Sequence, residues 1–143
     1  MLAVSSYPKD YVDECRAQLA EQLRLYDGLL AAARDGGRKA PLNAAIEGFE
    51  RVFFTTLVVV LDGYFAQRSR GLEGKDGNPL NEVRVLCTSL LQNDGRLLVD
   101  KGIKLKPETS VLHLEEGAEI RLDGEAFLRL SDAYFAEILH RYT

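Results

Sequence analysis

The chain has little of what most small-protein chemistry requires. It holds two cysteines and two histidines in 143 residues. Cys15 and Cys87 are distant from each other with no Cys-x-x-Cys partner, and His113 and His140 stand well away from both. Zinc sites take nitrogen and sulfur ligands at short, recurring spacings, so no zinc pattern forms. Each cysteine falls on the apolar stripe of an expected helix, where a free thiol behaves as a small hydrophobe. His140 lies in the last turn of an expected helix, where the dipole favours a cation. His113 reads as a solvated strand residue.

No long apolar run is present either. The most hydrophobic stretch, Val52 to Leu61, is broken by Thr55 and Thr56 and bounded by Glu50, Arg51 and Asp62. It is far short of the ~20 residues that span a bilayer, so no membrane association is expected. The first residues lack the charged segment and apolar core of a secretory signal, which makes a cytoplasmic location the expectation. Nor is there a long basic run. The formal net charge is -4, and the excess comes from residues 71–143, with thirteen acids against nine bases. Such a chain is a poor non-specific ligand for nucleic acid or anionic lipid. No repeat, low-complexity tract or long linker divides it. A single domain covering 1–143 is expected, of ordinary globular composition.

Hydrophobic periodicity supplies the elements. Val12, Cys15, Leu19, Leu23, Tyr26, Leu30 and Ala33 recur at steps of three and four, which predicts a helix from about Pro8 to Asp35. Gly36-Gly37 stops it. A second helix is expected from Pro41 to about Arg70. It carries Ile46, Phe49, Phe53, Leu57, Val60 and Tyr64 on one face and Phe54, Val58, Leu61 and Phe65 on another. Apolar on two sides, it reads as the enclosed central rod, with Gly48 and Gly63 as points of close packing. Asn78-Pro79 opens a third helix by capping, and Asn93-Asp94-Gly95 ends it.

Residues 96–122 change character. Leu97-Leu98-Val99 and Ile103 to Lys106 flank Asp100-Lys101-Gly102, and Val111 to Leu114 and Glu119 to Leu122 alternate around Glu115 to Ala118. Period two and these turns predict a small antiparallel β meander. Asp123 then caps a closing helix from about Gly124 to Arg141. The expected fold class is α+β, mostly helical, with three long helices, the meander at about 96–122 and a C-terminal helix.

One connection is too polar to be a plain connector. Residues 68–84 hold three glycines, an Asn-Pro turn, four cations and three acids. Arg68, Arg70, Glu73, Lys75, Asp76, Asn78, Glu82 and Arg84 are therefore the candidate binding residues. Glycine-rich turns entering a helix can present backbone amides to anions. Gly74, Lys75 and Gly77 would then cradle a phosphate or carboxylate, with the arginines as further cations. The spacing is not a Walker A loop, since Asp76 stands where Ser or Thr belongs and no strand precedes it. Glu73, Asp76, Asn78 and Glu82 are hard oxygen donors, but they lack the alternation of an EF-hand. The plainest alternative is that Asp76-Gly77 turns, Asn78 caps, and the charges pair with one another. No catalytic residue, metal or cofactor is assigned.

The chain therefore reads as a small non-enzymatic interaction or ligand-binding protein, a homodimer through its first two helices, where Tyr7, Tyr11 and Tyr26 suit an interface, though packing within the chain explains Tyr26 equally well. The alternative is an enzyme or binding protein for a phosphate-bearing or nucleotide-like small molecule at 68–84. A ribonuclease-type helical toxin is disfavoured, because both histidines lie far from the arginines of this loop.

Overall fold

The computed structural model describes residues 2–37 and 40–143. Its elements are five helices: α1 (Lys9–Asp35), α2 (Ala40–Gly63), α3 (Arg70–Glu73), α4 (Pro79–Gln92) and α5 (Gly124–Tyr142). The α4 start follows from local chemistry. The Asn78 side-chain oxygen accepts from the Leu80 and Asn81 amides, and Pro79 fills the first helical position. Asp123 does the same for α5, accepting from the Ala126 amide at 2.8 Å. α1 ends where the glycines stand, with Gly37 at a φ of 78°.

α5 is the hub. α1, α2 and α4 all pack on it, and α2 also lies along α4. The core between them joins Phe54, Val58, Leu61 and Phe65 to Leu80, Val83 and Leu86, and to Phe127, Leu130, Tyr134 and Ile138 of α5. Burying each such side chain contributes about 1.5–3 kcal/mol. The two ends of the chain are tied together at one place. The Val4 amide donates to the Gln67 carbonyl at 2.7 Å and the Ser69 amide donates back to the Val4 carbonyl at 2.6 Å. The Tyr7 amide donates to the Tyr142 carbonyl, and the Tyr142 hydroxyl donates to the Ser69 carbonyl.

The α+β expectation is overturned. No strand forms among the described residues; only isolated bridges occur, Val4 with Arg68 and Arg96 with Glu119. The reason lies in what captures the backbone. The Val111 and Leu112 amides, expected in a strand ladder, donate to the two carboxylate oxygens of Glu82 on α4 at 2.7 and 2.9 Å. His113, at the centre of that expected strand, has a φ of 56°, which breaks a period-two ribbon. The Lys104 amide donates to the Lys75 carbonyl, so 103–106 pairs with the 75 turn and not with 97–99. The apolar alternation is nonetheless used: Leu97, Ile120 and Leu122 are buried, from a coil that lies over the helices.

α2 also departs from expectation. It stops at Gly63, and a turn and the Val4 bridge intervene before the short α3. It is not enclosed. Phe54, Leu57, Val58 and Leu61 are buried, while Phe49, Val52 and Val60 are exposed. Gly48 and Gly63 are not points of close packing, since a Cβ on either would meet nothing within 4 Å.

Candidate functional site

The polar corner at 68–84 converges inward. Arg68 follows the turn after α2, and its side chain is 0% exposed. Its Nε donates to Glu73 Oε1 at 2.8 Å and its Nη1 to Asp62 Oδ1 at 2.8 Å. Nη1 also donates to the Phe65 carbonyl and the Tyr134 hydroxyl, and Nη2 to the Leu80 carbonyl. An arginine can be buried only when its fork is matched in this way. Burial pulls its pKa down, but Tyr134, Asp62 and Glu73 outweigh that and hold it above the ordinary arginine value.

Glu73 closes α3 with a side chain that is 1% exposed. Besides Arg68, it accepts from Arg84 Nε at 3.0 Å, Arg84 Nη2 at 2.5 Å and Asn81 Nδ2 at 2.8 Å. Burial raises its pKa, yet the Arg84 hydrogen bonds and the Arg68 and Arg84 charges win and hold it below the usual glutamate value. Asn78 is more than a cap, because its Nδ2 donates to the Glu73 carbonyl and to Asp76 Oδ1, both at 2.7 Å. The bond from Asn78 holds the Asp76 carboxyl below its ordinary value. Gly77, at a φ of 87°, passes so close to the Lys104 carbonyl that a Cβ would clash with it.

Most of the expected amide cradle is engaged within the chain. The Gly74 amide donates to the Arg70 carbonyl, the Gly77 amide to Asn81 Oδ1 and the Asn78 amide to Asp76 Oδ1. The oxygen donors do not converge on a cation either. Glu73 is saturated by arginines, and Glu82 turns away to the Val111 and Leu112 amides. Burial raises the pKa of Glu82 against those two donors. Among the described residues no three of His, Cys, Asp and Glu are grouped to hold a metal.

Of the eight candidates, then, Arg68, Glu73, Asn78 and Glu82 are buried and committed to partners within the chain. Arg70, Lys75 and Asp76 are exposed and Arg84 half-buried. Arg70 and Arg84 share a cleft of about 470 Å³ with Val85, Thr88, Leu98, Val99, Asp100, Lys101 and Ile103. In the sequence, residues 98 to 103 carry the signal of a hairpin and none of a site wall. Asp62 and Tyr134, which complete the buried network, carried no local signal because each lies within an apolar helical run.

No family model, curated protein or solved structure matches this chain.

A second surface is formed by α2 and α1. The outward face of α2 presents Ala45, Phe49, Val52, Thr56, Val60 and Gly63 at steps of three and four. No charged residue interrupts this row, and the neighbouring Thr55 turns its hydroxyl back to the Arg51 carbonyl at 2.8 Å. An apolar groove of about 170 Å³ joins this face to Tyr26, Leu29 and Ala33 of α1. Exposures reach 65% at Val52, 49% at Phe49, 60% at Leu29 and 55% at Leu25. Tyr26 stacks on Phe53 with centroids 5.6 Å apart and donates its hydroxyl to Glu50. Among the described residues no helix is long and apolar enough to cross a membrane.

Proposed function

We propose that the protein is a self-associating interaction module whose α1–α2 face pairs with the same face of a second copy. The observation that carries this reading is the uncharged outward face of α2, continuous through the groove with Leu29 of α1. Val52, Leu29 and Leu25 are more than half exposed along this strip and Phe49 about half, which makes it an apolar patch with no cover from its own chain. Monomers rarely leave a contiguous patch beyond a few hundred Å² uncovered, and a standard interface buries ~800 Å² per partner. A second copy is the occupant that fits best. A surface without charge offers no electrostatic selection for a charged partner, whereas a two-fold pairing buries the strip against its own equivalent. The row at steps of three and four is the spacing by which helices interdigitate.

The test is sedimentation velocity over a wide concentration range, for the parent chain and for Val52→Lys. Val52 is 65% exposed, so lysine costs the isolated fold little. The parent should dimerise and the variant should run as a folded monomer. A parent chain that stays monomeric at high concentration, or a variant that dimerises equally well, would refute the proposal.

A further inference from the structure

We propose that the cleft between α3, α4 and the 98–103 turn binds a small amphipathic anion, a carboxylate or phosphate monoester carried on a compact apolar body. Its volume of about 470 Å³ falls within the ~300–1,000 Å³ of small-molecule sites. Its lining is divided by chemistry. Val85 and Ile103 give an apolar floor with Val99, and Leu98 lies 53% exposed at its edge. Arg70, Arg84 and Lys101 supply positive charge around it.

The charge is only partly cancelled locally. In the buried network Arg68 and Arg84 are balanced by Asp62 and Glu73, so the network is neutral. Arg70 and Lys101 form no ion pair or side-chain hydrogen bond within the described residues. The one acid lining the cleft, Asp100, turns its Oδ1 to the Gly102 amide of its own turn at 3.0 Å. Lys75 Nζ and Asp100 Oδ1 both come close to Gly102, 3.9 and 3.7 Å from where a Cβ on it would lie. Asp100 offsets one of the two cations outside the buried network, Arg70 and Lys101, so the cleft keeps a net positive charge beside its apolar floor in a chain whose net charge is -4.

Arg84 is also held in place. Glu73 takes its Nε and Nη2 at 3.0 and 2.5 Å, which leaves Nη1 without a hydrogen bond among the described residues. A guanidinium anchored at two nitrogens and open at the third is ready for an anionic oxygen, with less side-chain entropy to lose on binding. Arg70 and Lys101, being exposed, would complete the anion contact, and the floor would take the apolar body.

The experiment is titration of the full chain followed by amide chemical shifts, with four probes: octanoate, phenyl phosphate, inorganic phosphate and octanol. The variants are Arg70→Gln/Lys101→Gln and Leu98→Asn, whose altered side chains are exposed and outside the buried network. Octanoate or phenyl phosphate should shift residues 98–103 and the Arg84–Thr88 turn, and the two arms decide between carboxylate and phosphate. Affinity should fall at least ten-fold in the double variant and several-fold in Leu98→Asn, with octanol and inorganic phosphate far weaker. The proposal is overturned if neither anion binds at millimolar concentration, if the double variant binds as well as the parent, or if inorganic phosphate binds as tightly as phenyl phosphate.

Discussion

Glu73 receives hydrogen bonds from Arg68, Arg84 and Asn81, so removing its charge leaves two guanidiniums facing a neutral group. Breaking a buried pair by one partner costs ~3–5 kcal/mol, and Glu73→Gln should lower stability by about that amount near neutral pH. The pH dependence has a definite sign. The folded-state pKa of Glu73 is held below its ordinary value, so its contribution is full above that ordinary value and lost as pH falls through the folded one. The gap between parent and variant in urea unfolding should therefore narrow on acidification. A gap of equal size at both ends would rule out the charge as its source. Glu82 acts in the opposite sense: burial raises its pKa, so stability associated with it is lost as pH rises through its folded value. Tyr7 is a simpler case. Its hydroxyl is the one buried side-chain polar atom among the described residues without a hydrogen-bond partner, while its ring packs edge-on against Phe65 with centroids 5.0 Å apart. An unmade buried hydrogen bond costs ~1–3 kcal/mol, so Tyr7→Phe should keep the ring contacts and raise the unfolding midpoint. A loss of stability would show that the hydroxyl is satisfied after all.

At the scale of elements, the two helix caps look alike in the sequence and differ in the structure. Asp123 accepts from the Ala126 amide at an exposed position, and Asp123→Ala should cost the ~0.5–2 kcal/mol of an ordinary cap. Asn78 also donates from Nδ2 to the Glu73 carbonyl and to Asp76. Asn78→Asp keeps a good capping oxygen but loses both donors and sets a carboxylate beside Asp76. If Asn78 were only a cap, aspartate would serve as well, so equal stability of Asn78→Asp and the parent in thermal unfolding would refute the clamp. The same contrast shows what the sequence could reveal. The starts of α4 and α5 and the end of α1 are set by Asn78-Pro79, Asp123 and Gly36-Gly37, whose effects act within a turn. The meander failed because Val111 and Leu112 find their acceptor on Glu82, 29 and 30 residues away, and a period of two says nothing about such a competitor. The Arg68 network was legible only as surplus polarity, since its Tyr134 partner is 66 residues distant.

For the whole molecule, sequence and structure part most at α2. Apolar residues on two faces implied enclosure by the chain itself, but the chain covers the Phe54 face in full and the other only in part, burying Leu57 and leaving Phe49 and Val60 exposed, and the glycines expected to mark tight contacts lie in open space. A sequence records that a face must be covered and not what covers it, so a partner surface and a core surface look the same until the other elements are placed. Gly48 separates the two accounts. In a helix interior glycine costs ~1 kcal/mol relative to alanine, and nothing in the fold obstructs a Cβ at this site. Gly48→Ala should therefore stabilise the isolated chain by up to about 1 kcal/mol. If α2 approaches its equivalent in a second copy across this face, the added methyl holds the backbones apart, and dimerisation should weaken while unfolding of the dilute monomer is delayed. Unfolding monitored at low and high protein concentration reads both effects, because mass action makes the midpoint of a dimer depend on concentration. A substitution that raises stability and leaves the concentration dependence unchanged would place any dimer contact elsewhere than the Gly48 side of α2.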